Sequence, residues 1–572
     1  MKRILFLTAT RTKTSPRPTD AARVRFTFVS CQNCNLGSQH AFRRMVFDDL
    51  RRPPAQQLDF VLHLGDFVYE LVWYPEERAG GYYDRKVREL VRYPNGERID
   101  DFHIPSDVGD YRALYRAYLA DPDIQDARAR WPFVSMWDNH EFSWLGWQSY
   151  QVFDGHVRGA QRRKVAANQA WFEYQPARVR TPDQAGYERF SAPAVQDAPP
   201  GTTDDAGLCR DADNLAAIGS LTGYRSLRWG TTLDLLLTDQ RSYRSRDPLL
   251  EAKSSGLFSS HARQFIAQRV VAQLDAGRAF DGGRPPENLE FGQTRVSNFR
   301  HEEPPQTFLG ASQKEWFLST LSASTAVWKV WGNTIGTLDG RADLQNLPEP
   351  LRALWPDSGY GVLALDDFGN AYTERREIYD WVERHRIPGF VTLSGDRHSF
   401  WAGYAAADLD VKRFRPVGLA FVTGSVSAPG IVEALEHGLA PDHPLRPLYL
   451  VDDPSGARPH PTINMLLLHG VRSCLEYARS RDKSRALAVR NPALAPHLRF
   501  LDFAGHGFGL VDASPDSIEV EFVCIPRPAT PVEAADGGPV AYRVSHRARR
   551  WAGGATPKLE QHRREGDVGL FT

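Results

Sequence analysis

Apolar and polar positions alternate from Arg23 to Ser30 (RVRFTFVS), a two-residue period that predicts a strand. Ser38 then offers a cap for a helix over 39–50. A five-residue apolar run, FVLHL at 60–64, is of strand length and stops at Gly65-Asp66, with Tyr69 and Glu70 following. Tyr111, Leu114, Tyr115, Tyr118 and Leu119 carry helical spacing through 110–130, broken near Pro122. PFVSMW at 132–137 predicts a strand that ends at Asp138-Asn139-His140-Glu141, and 159–174 predicts a helix. A hairpin turns around Gly230 between strands 224–230 and 232–239 and ends at Asp239-Gln240-Arg241. Later helices are expected near 260–276, at 312–322 and at 373–386. Later strands are expected at 326–331, 389–393, 416–422, 497–504, 508–512 and 517–525. Strands alternating with helices imply an α/β core, and the hairpin-like pairs imply mixed sheets.

The stretches between these elements divide the chain. Residues 1–22 read as an extension, 23–530 as one large unit and 531–572 as a tail. Within the unit, 175–222, 245–305 and 430–496 read as insertions, the last of them helical. The long aromatic and charged stretch 70–108 reads as a functional loop or lid.

Composition adds exclusions. A chain of 572 residues with 42% hydrophobic and 24% charged residues can bury a large core, so disorder is not its default. Lys plus Arg equals Asp plus Glu at 70 each, so no global charge points to nucleic acid or a membrane surface, and any affinity for an anion must be local. Five scattered cysteines are not a disulfide framework; Cys31 and Cys34 form a CxxC with no second pair to complete a zinc site. The start, MKRILFLTAT, has a basic end and an apolar run short for a signal peptide, and no segment is long and apolar enough to span a membrane. That favours the cytoplasm as the compartment.

Six predicted strands end in groups that bind metal or polarise a phosphate: Cys31; Asp66 with Tyr69; Asp138 with Asn139, His140 and Glu141; Asp239 with Arg241; Asn333; and Asp396 with His398. At the carboxyl ends of strands in a single sheet they would converge on one edge, which argues for more than one metal. A carboxylate and a phenolate aimed at one point suit a hard cation such as ferric iron, and the carboxylate bias favours iron, calcium, magnesium or manganese over zinc. Taken singly, each tip has a plainer reading: Cys31 as core, Asp138 and Asp239 as turn caps, His140 and His398 as satisfied core histidines.

Taken together and in order, FVSCQ (28–32), GDFVYE (65–70), MWDNHEF (136–142), TDQRSYR (238–244), the long string 309–333, LSGDRHSF (393–400) and RFLDFAGHGFGLVD (499–512) resemble the PhoD-type alkaline phosphatases, within the calcineurin-like metallophosphoesterases. The resemblance implies a four-layer αββα core around a centre of Fe³⁺ plus Ca²⁺. It places Cys31, Asp66, Tyr69 and one or both of Asp396 and His398 around iron, with Asp66 bridging to calcium. Asp138, Asn139 and Asn333 fall on the calcium side. It implies hydrolysis of phosphate esters by in-line attack. His140 is the candidate at the leaving oxygen, and Arg397 and Asn333 are candidates for holding phosphate. Asp239 and Arg241 are supports behind the ligands or, equally, a structural ion pair. The chain departs from the family pattern at Asn139, where many relatives carry Asp; at 366–372 (DDFGNAY), where a WDGY-like segment is usual; and at Arg397, where a small residue is common. The twin-arginine signal and small β domain of many relatives are missing, though a periplasmic or secreted location, as in those relatives, stays open. The rival functions are a CxxC thiol oxidoreductase using Cys31 and Cys34, and a non-catalytic protein that captures phosphorylated ligands.

Overall fold

The computed structural model describes residues 13–569 except 154, 178, 181–188, 263 and 457. The apolar run of the first ten residues therefore lies outside the described residues.

In chain order, the elements that build and flank the site are β1 (Val24–Val29), α1 (His40–Leu50), β2 (Phe60–Leu64), α2 (Val108–Leu119), α3 (Pro122–Arg130), β3 (Phe133–Met136) and α4 (Gln161–Tyr174). They continue with β4 (Arg225–Trp229), β5 (Leu233–Leu237), α5 (Gly310–Ala323), β6 (Trp328–Gly332), α6 (Tyr372–Arg384), β7 (Phe390–Ser394), β8 (Phe400–Ala406) and β9 (Pro416–Val422). The last are α7 (Ile431–Gly438), β10 (Leu498–Asp502), β11 (His506–Ala513), β12 (Ser517–Ile525), β13 (Tyr542–Arg549) and β14 (Glu560–Gly566).

The strands form two seven-stranded sheets rather than one, ordered β14-β13-β12-β11-β1-β2-β3 and β10-β8-β9-β7-β6-β5-β4. Each sheet has a parallel centre: β1, β2 and β3 in the first, β5, β6, β7 and β9 in the second. Antiparallel strands complete both.

Side-chain alternation explains why the sheets stack. Phe26, Phe28, Phe60, Leu62 and Leu64 share one buried core with Leu233, Leu235, Leu237, Val330, Val391 and Leu393 of the second sheet. The intervening positions face the other way. Val29, Val61 and Phe133 join Phe42 of α1, Tyr115 of α2, Ile124 of α3 and Trp171 of α4. Leu236, Trp331 and Phe390 join Phe317 of α5 and Ile378 of α6. Parallel central strands buried on both faces read as near-continuous apolar runs, which is why FVLHL carries so little polar alternation.

Three readings need correction. The tips belong to two sheets, so they meet across a sandwich and not along one sheet edge. Residues after 530 are not merely a tail, because β13 and β14 extend the first sheet. The stretch 70–108 contains a short hairpin, Glu97–Ile99 with Phe102–Ile104, and packs its own small core around Leu71, Trp73 and Val87. The stretches 245–305 and 430–496 share a further core, Phe265 and Val270 packing with Leu448, Ile463 and Leu466.

One buried ion pair fixes 70–108 against α7. Arg85 donates to both carboxylate oxygens of Glu433 at 2.6 and 2.7 Å, and also to the Ser427 carbonyl at 2.6 Å. Burial alone would raise the Glu433 carboxyl, but His506 and Arg85 overcome it and hold the group below its usual range. Among the described residues no helix is long and apolar enough to cross a membrane.

Candidate metal centre

The three parallel strands of the first sheet run into Cys31, Asp66 and Asp138, and three of the four parallel strands of the second, β5, β6 and β7, run into Asp239, Asn333 and Asp396. The chain turns sharply there. Cys31, Asp66, Asp396 and His398 all have positive φ, between 49° and 63°. For non-glycine residues such backbone costs about 1–3 kcal/mol each, and it persists where the surroundings enforce it, typically at ligand sites. Gly65 (φ 86°) has no such freedom to change: a Cβ there would stand 2.3 Å from the Cβ of Asp138.

Backbone hydrogen bonds lash the tips together. Cys31 N–H donates to the Gly65 carbonyl at 3.3 Å and Gln32 N–H to the Asp66 carbonyl at 3.1 Å. Glu141 accepts from the amides of Asp66, Phe67 and Asp138 at 2.9, 2.7 and 2.7 Å, so one carboxylate fastens the tips of β2 and β3.

The result is two overlapping clusters of donor atoms. Cys31, Asp66 and His398 present ligand atoms within 4.8 Å of one another, and so do Asp66, Asp138 and Asp396. Asp66 belongs to both. Burial, followed by the crowd of carboxylates, raises the Asp66 and Asp396 carboxyls well above the usual range. Burial and then Asp66 raise the Cys31 thiol and the Tyr69 phenol in the same way. Burial and mutual repulsion thus oppose ionisation of these groups, and a cation is what would let them ionise together. The Asn139 Oδ1 is buried and has no hydrogen-bond partner among the described residues, which suits an oxygen meant for a cation. The donor set fits metal.

His398 is prepared for the same purpose. Its Nδ1 lies 2.5 Å from the Pro429 carbonyl, which only accepts, so Nδ1 carries the proton and Nε2 keeps its lone pair. Burial lowers its pKa to about 4, leaving the ring neutral at pH 7, as a ligand must be. The Tyr69 hydroxyl is 3.2 Å from that Nε2 and donates to Asp66 Oδ2 at 3.0 Å.

His140 is held differently. Its Nδ1 is 2.6 Å from Glu70 Oε2, its ring stacks on Tyr69 with centroids 4.0 Å apart, and its amide points at Asp66 Oδ1 at 3.3 Å. Burial works against its protonation, but the Glu70 and Asp66 carboxylates prevail and raise its pKa.

Arg241 grips Asp138 in a fork at 2.5 and 3.1 Å, reaches Asp366 at 2.7 Å and lies 3.6 Å from Asp396. Thr334 donates to Asp138 Oδ1 at 2.9 Å. In the metal-free protein, replacing Arg241 by Met leaves Asp138 buried without its counter-charge, and unfolding in urea should show a loss of about 3–5 kcal/mol. A loss below 1 kcal/mol would mean that the pair contributes little.

The remaining candidates are less directly engaged. Asp239 caps its own turn, Oδ1 accepting from the amides of Arg241 and Ser242 at 2.9 Å each. Asn333 is fully buried, with Oδ1 accepting from the Ile335 amide at 3.2 Å and Nδ2 lacking a partner among the described residues. Arg397 turns away to Asp367 and the Leu338 carbonyl at 2.5 Å each, stacks on Trp401, and keeps one unpaired nitrogen, Nη1.

A cavity of about 370 Å³ opens over the cluster, lined by Asp66, Tyr69, Asn139, His140, Asp396 and His398 among others. Another, of about 490 Å³, lies at the opposite ends of β2 and β3 near Asp59 and Arg225, and no candidate ligand lines it. Sequence reasoning assigned no role to Glu70, Thr334, Asp366 or Asp367. Glu70 and Thr334 had a usable signal, being polar neighbours of candidate ligands. Asp366 and Asp367 were marked only as part of the segment 366–372, and the meeting of Asp366 with Arg241 across 125 positions had no local signal.

The chain is similar to alkaline phosphatase D of Bacillus subtilis (strain 168), with 23% identity over 423 residues, covering 73% of this chain and 54% of that protein. It thus spans about half the length of this curated relative. A solved structure described as "Structure of PhoD" aligns with 96% of this chain and 73% of its own, with a TM-score of 0.58 and 18% identity, which shows a shared mixed α/β fold. The sequence model of the PhoD-like phosphatase family matches residues 26–452, a span that holds all six strand tips, and the chain belongs to that family.

Proposed function

We propose that the protein is a metal-dependent hydrolase of phosphoric esters, working at the Asp66 cluster. The observation that carries this is the sharing of Asp66 between two donor groups beneath a single cavity. In this reading Cys31, Tyr69 and His398 form the side suited to Fe³⁺, and Asp138, Asn139 and Asp396 the oxygen-rich side suited to Ca²⁺ or another divalent ion. The shared core between the sheets, with helices packed on both outer faces, supports a four-layer αββα arrangement.

When bound, the ions would polarise the phosphoryl oxygens and supply hydroxide at neutral pH. The chain's own residues do the rest. Asp66 and Glu141 hold the two strand tips in register. His140, protonated with help from Glu70, gives its proton to the departing oxygen as the P–O bond breaks and a water oxygen takes that place on phosphorus. The unpaired nitrogens of Arg397 and Asn333 are the candidates for holding the phosphate.

The test is metal content together with turnover of 4-nitrophenyl phosphate and its bis-ester. Iron-free, inactive protein from metal-replete expression overturns the proposal, and tight phosphate capture without turnover would make it a binding protein. Tyr69→Phe is expected to abolish a tyrosinate-to-iron absorption band in the visible; a coloured variant that keeps the band removes Tyr69 from the ligand set. The thiol alternative has less support. Cys34 is absent from the donor clusters, and burial raises its thiol well above the ordinary range, away from the thiolate that redox exchange needs. Cys34→Ser should therefore leave hydrolysis unchanged.

A further inference from the structure

The cavity over the cluster has two unlike walls. One carries the candidate ligands. The other is aromatic: Trp73, Tyr82 and Phe102 line it, with Trp73 4.9 Å from the Tyr82 centroid and 6.0 Å from that of Phe102. At the lip stands Trp144, 41% exposed, the one aromatic among the large exposed hydrophobic residues described. No ring stacks on it among the described residues. Its backbone is tied down, because its amide donates to Glu70 Oε1 at 2.5 Å while the other oxygen of that carboxylate holds His140. One carboxylate thus holds the ring of His140 and the backbone of Trp144, two residues that line the same cavity.

Charge narrows the choice further. Among the described residues no lysine lines the cavity and its arginines are Arg241, engaged by Asp138 and Asp366, and Arg397, held by Asp367 and with its one unpaired nitrogen already assigned to the transferred phosphate. A second phosphate on the leaving group would find no spare cation. Asp366 and Asp367, the partners of those arginines, line the cavity as well and add no positive charge to it.

Resting on the phosphoesterase reading above, we infer that Trp144 selects esters whose leaving group is uncharged and aromatic, against small polar alcohols and against polyphosphates. A flat ring stacked on the indole gains attraction that a glycerol or a pyrophosphate does not.

The test uses the metal-loaded protein with 1-naphthyl phosphate, glycerol 3-phosphate and pyrophosphate. The wild type should prefer the naphthyl ester to pyrophosphate. In Trp144→Ala the ratio of kcat/KM for the naphthyl to the glycerol ester should fall roughly tenfold, chiefly through KM, and Trp144→Phe should restore most of it. Comparing ratios between variants cancels the intrinsic reactivity of the two esters. An unchanged ratio, or a preference for pyrophosphate, overturns the role of Trp144 while leaving the phosphoesterase reading intact. No turnover of any ester overturns that reading and this inference with it.

Discussion

Asp66→Asn is expected to lose both bound metals and to lower kcat/KM for 4-nitrophenyl phosphate by about 10³-fold or more, while making the metal-free fold more stable. The two effects have one cause. Asp66 is the residue common to both donor clusters, and among the described residues no other single carboxylate belongs to both. Without a cation, its buried carboxyl sits beside those of Asp138 and Asp396 and is raised well above the ordinary range. A carboxyl so raised binds its proton more tightly in the folded chain than in the unfolded one. Its stabilising effect is complete below the unfolded value near 4 and is lost as pH rises toward the folded value. In chelator-treated protein, wild type and Asp66→Asn should therefore melt at similar temperatures near pH 4, with the variant ahead at pH 8. Other acids shift the other way, Asp366 being lowered to about 2 by Arg244 and Arg241 against its own burial. The difference between wild type and variant isolates Asp66. A variant that retains both metals, or that melts lower at pH 8, would show that Asp66 is an ordinary buried acid.

The second large effect is expected at His140. His140→Ala should reduce kcat for alkyl phosphates about 10²–10⁴-fold and for 4-nitrophenyl phosphate far less, since nitrophenolate leaves without needing a proton. Glu70→Gln should act more subtly. A general acid must be protonated, so activity falls as pH rises through its pKa. Removing the Glu70 charge lowers that pKa, and the falling limb of the pH–rate profile should move to lower pH. Equal losses for alkyl and nitrophenyl esters would assign His140 to binding. An unmoved limb in Glu70→Gln would separate the two residues.

The strand tips were legible in the sequence because each rests on a short buried run that stops at an abrupt change to polar residues. FVLHL before Gly65-Asp66 and the strand 390–394 before Gly395-Asp396 are the clearest. Their gathering was legible only as a conditional, because side-chain periodicity reports which faces are buried and says nothing of which sheet a strand joins. β8 (FWAGYAA) escaped notice, since Ala and Gly replace the β-branched residues that mark a strand while both faces are buried. β14 escaped for the opposite reason, and β13 beside it (YRVSHRAR) because its buried positions are interleaved with three arginines. β14 (EQHRREG) is almost wholly exposed at a sheet edge and offers no apolar stripe. At the site, the acids and the histidines were visible as residue types. The forks that join Arg241 to Asp138 and Asp366, and Arg85 to Glu433, span 103, 125 and 348 positions, and only the folded chain reveals them.

The place of β1 bears on how the chain is made. It is an inner strand of its sheet, flanked by β2 on one side and β11 on the other, and Arg23 at its start bonds to Asp512, 489 positions later. At ribosomal speeds that interval lasts on the order of a minute. During it the edge of β1 that will receive β11 stays open, an invitation to pair with a neighbouring nascent chain. Overexpression should therefore be limited less by the final stability of the protein than by what shields that edge during synthesis, and slower production at low temperature or added holdase chaperone should raise the soluble yield.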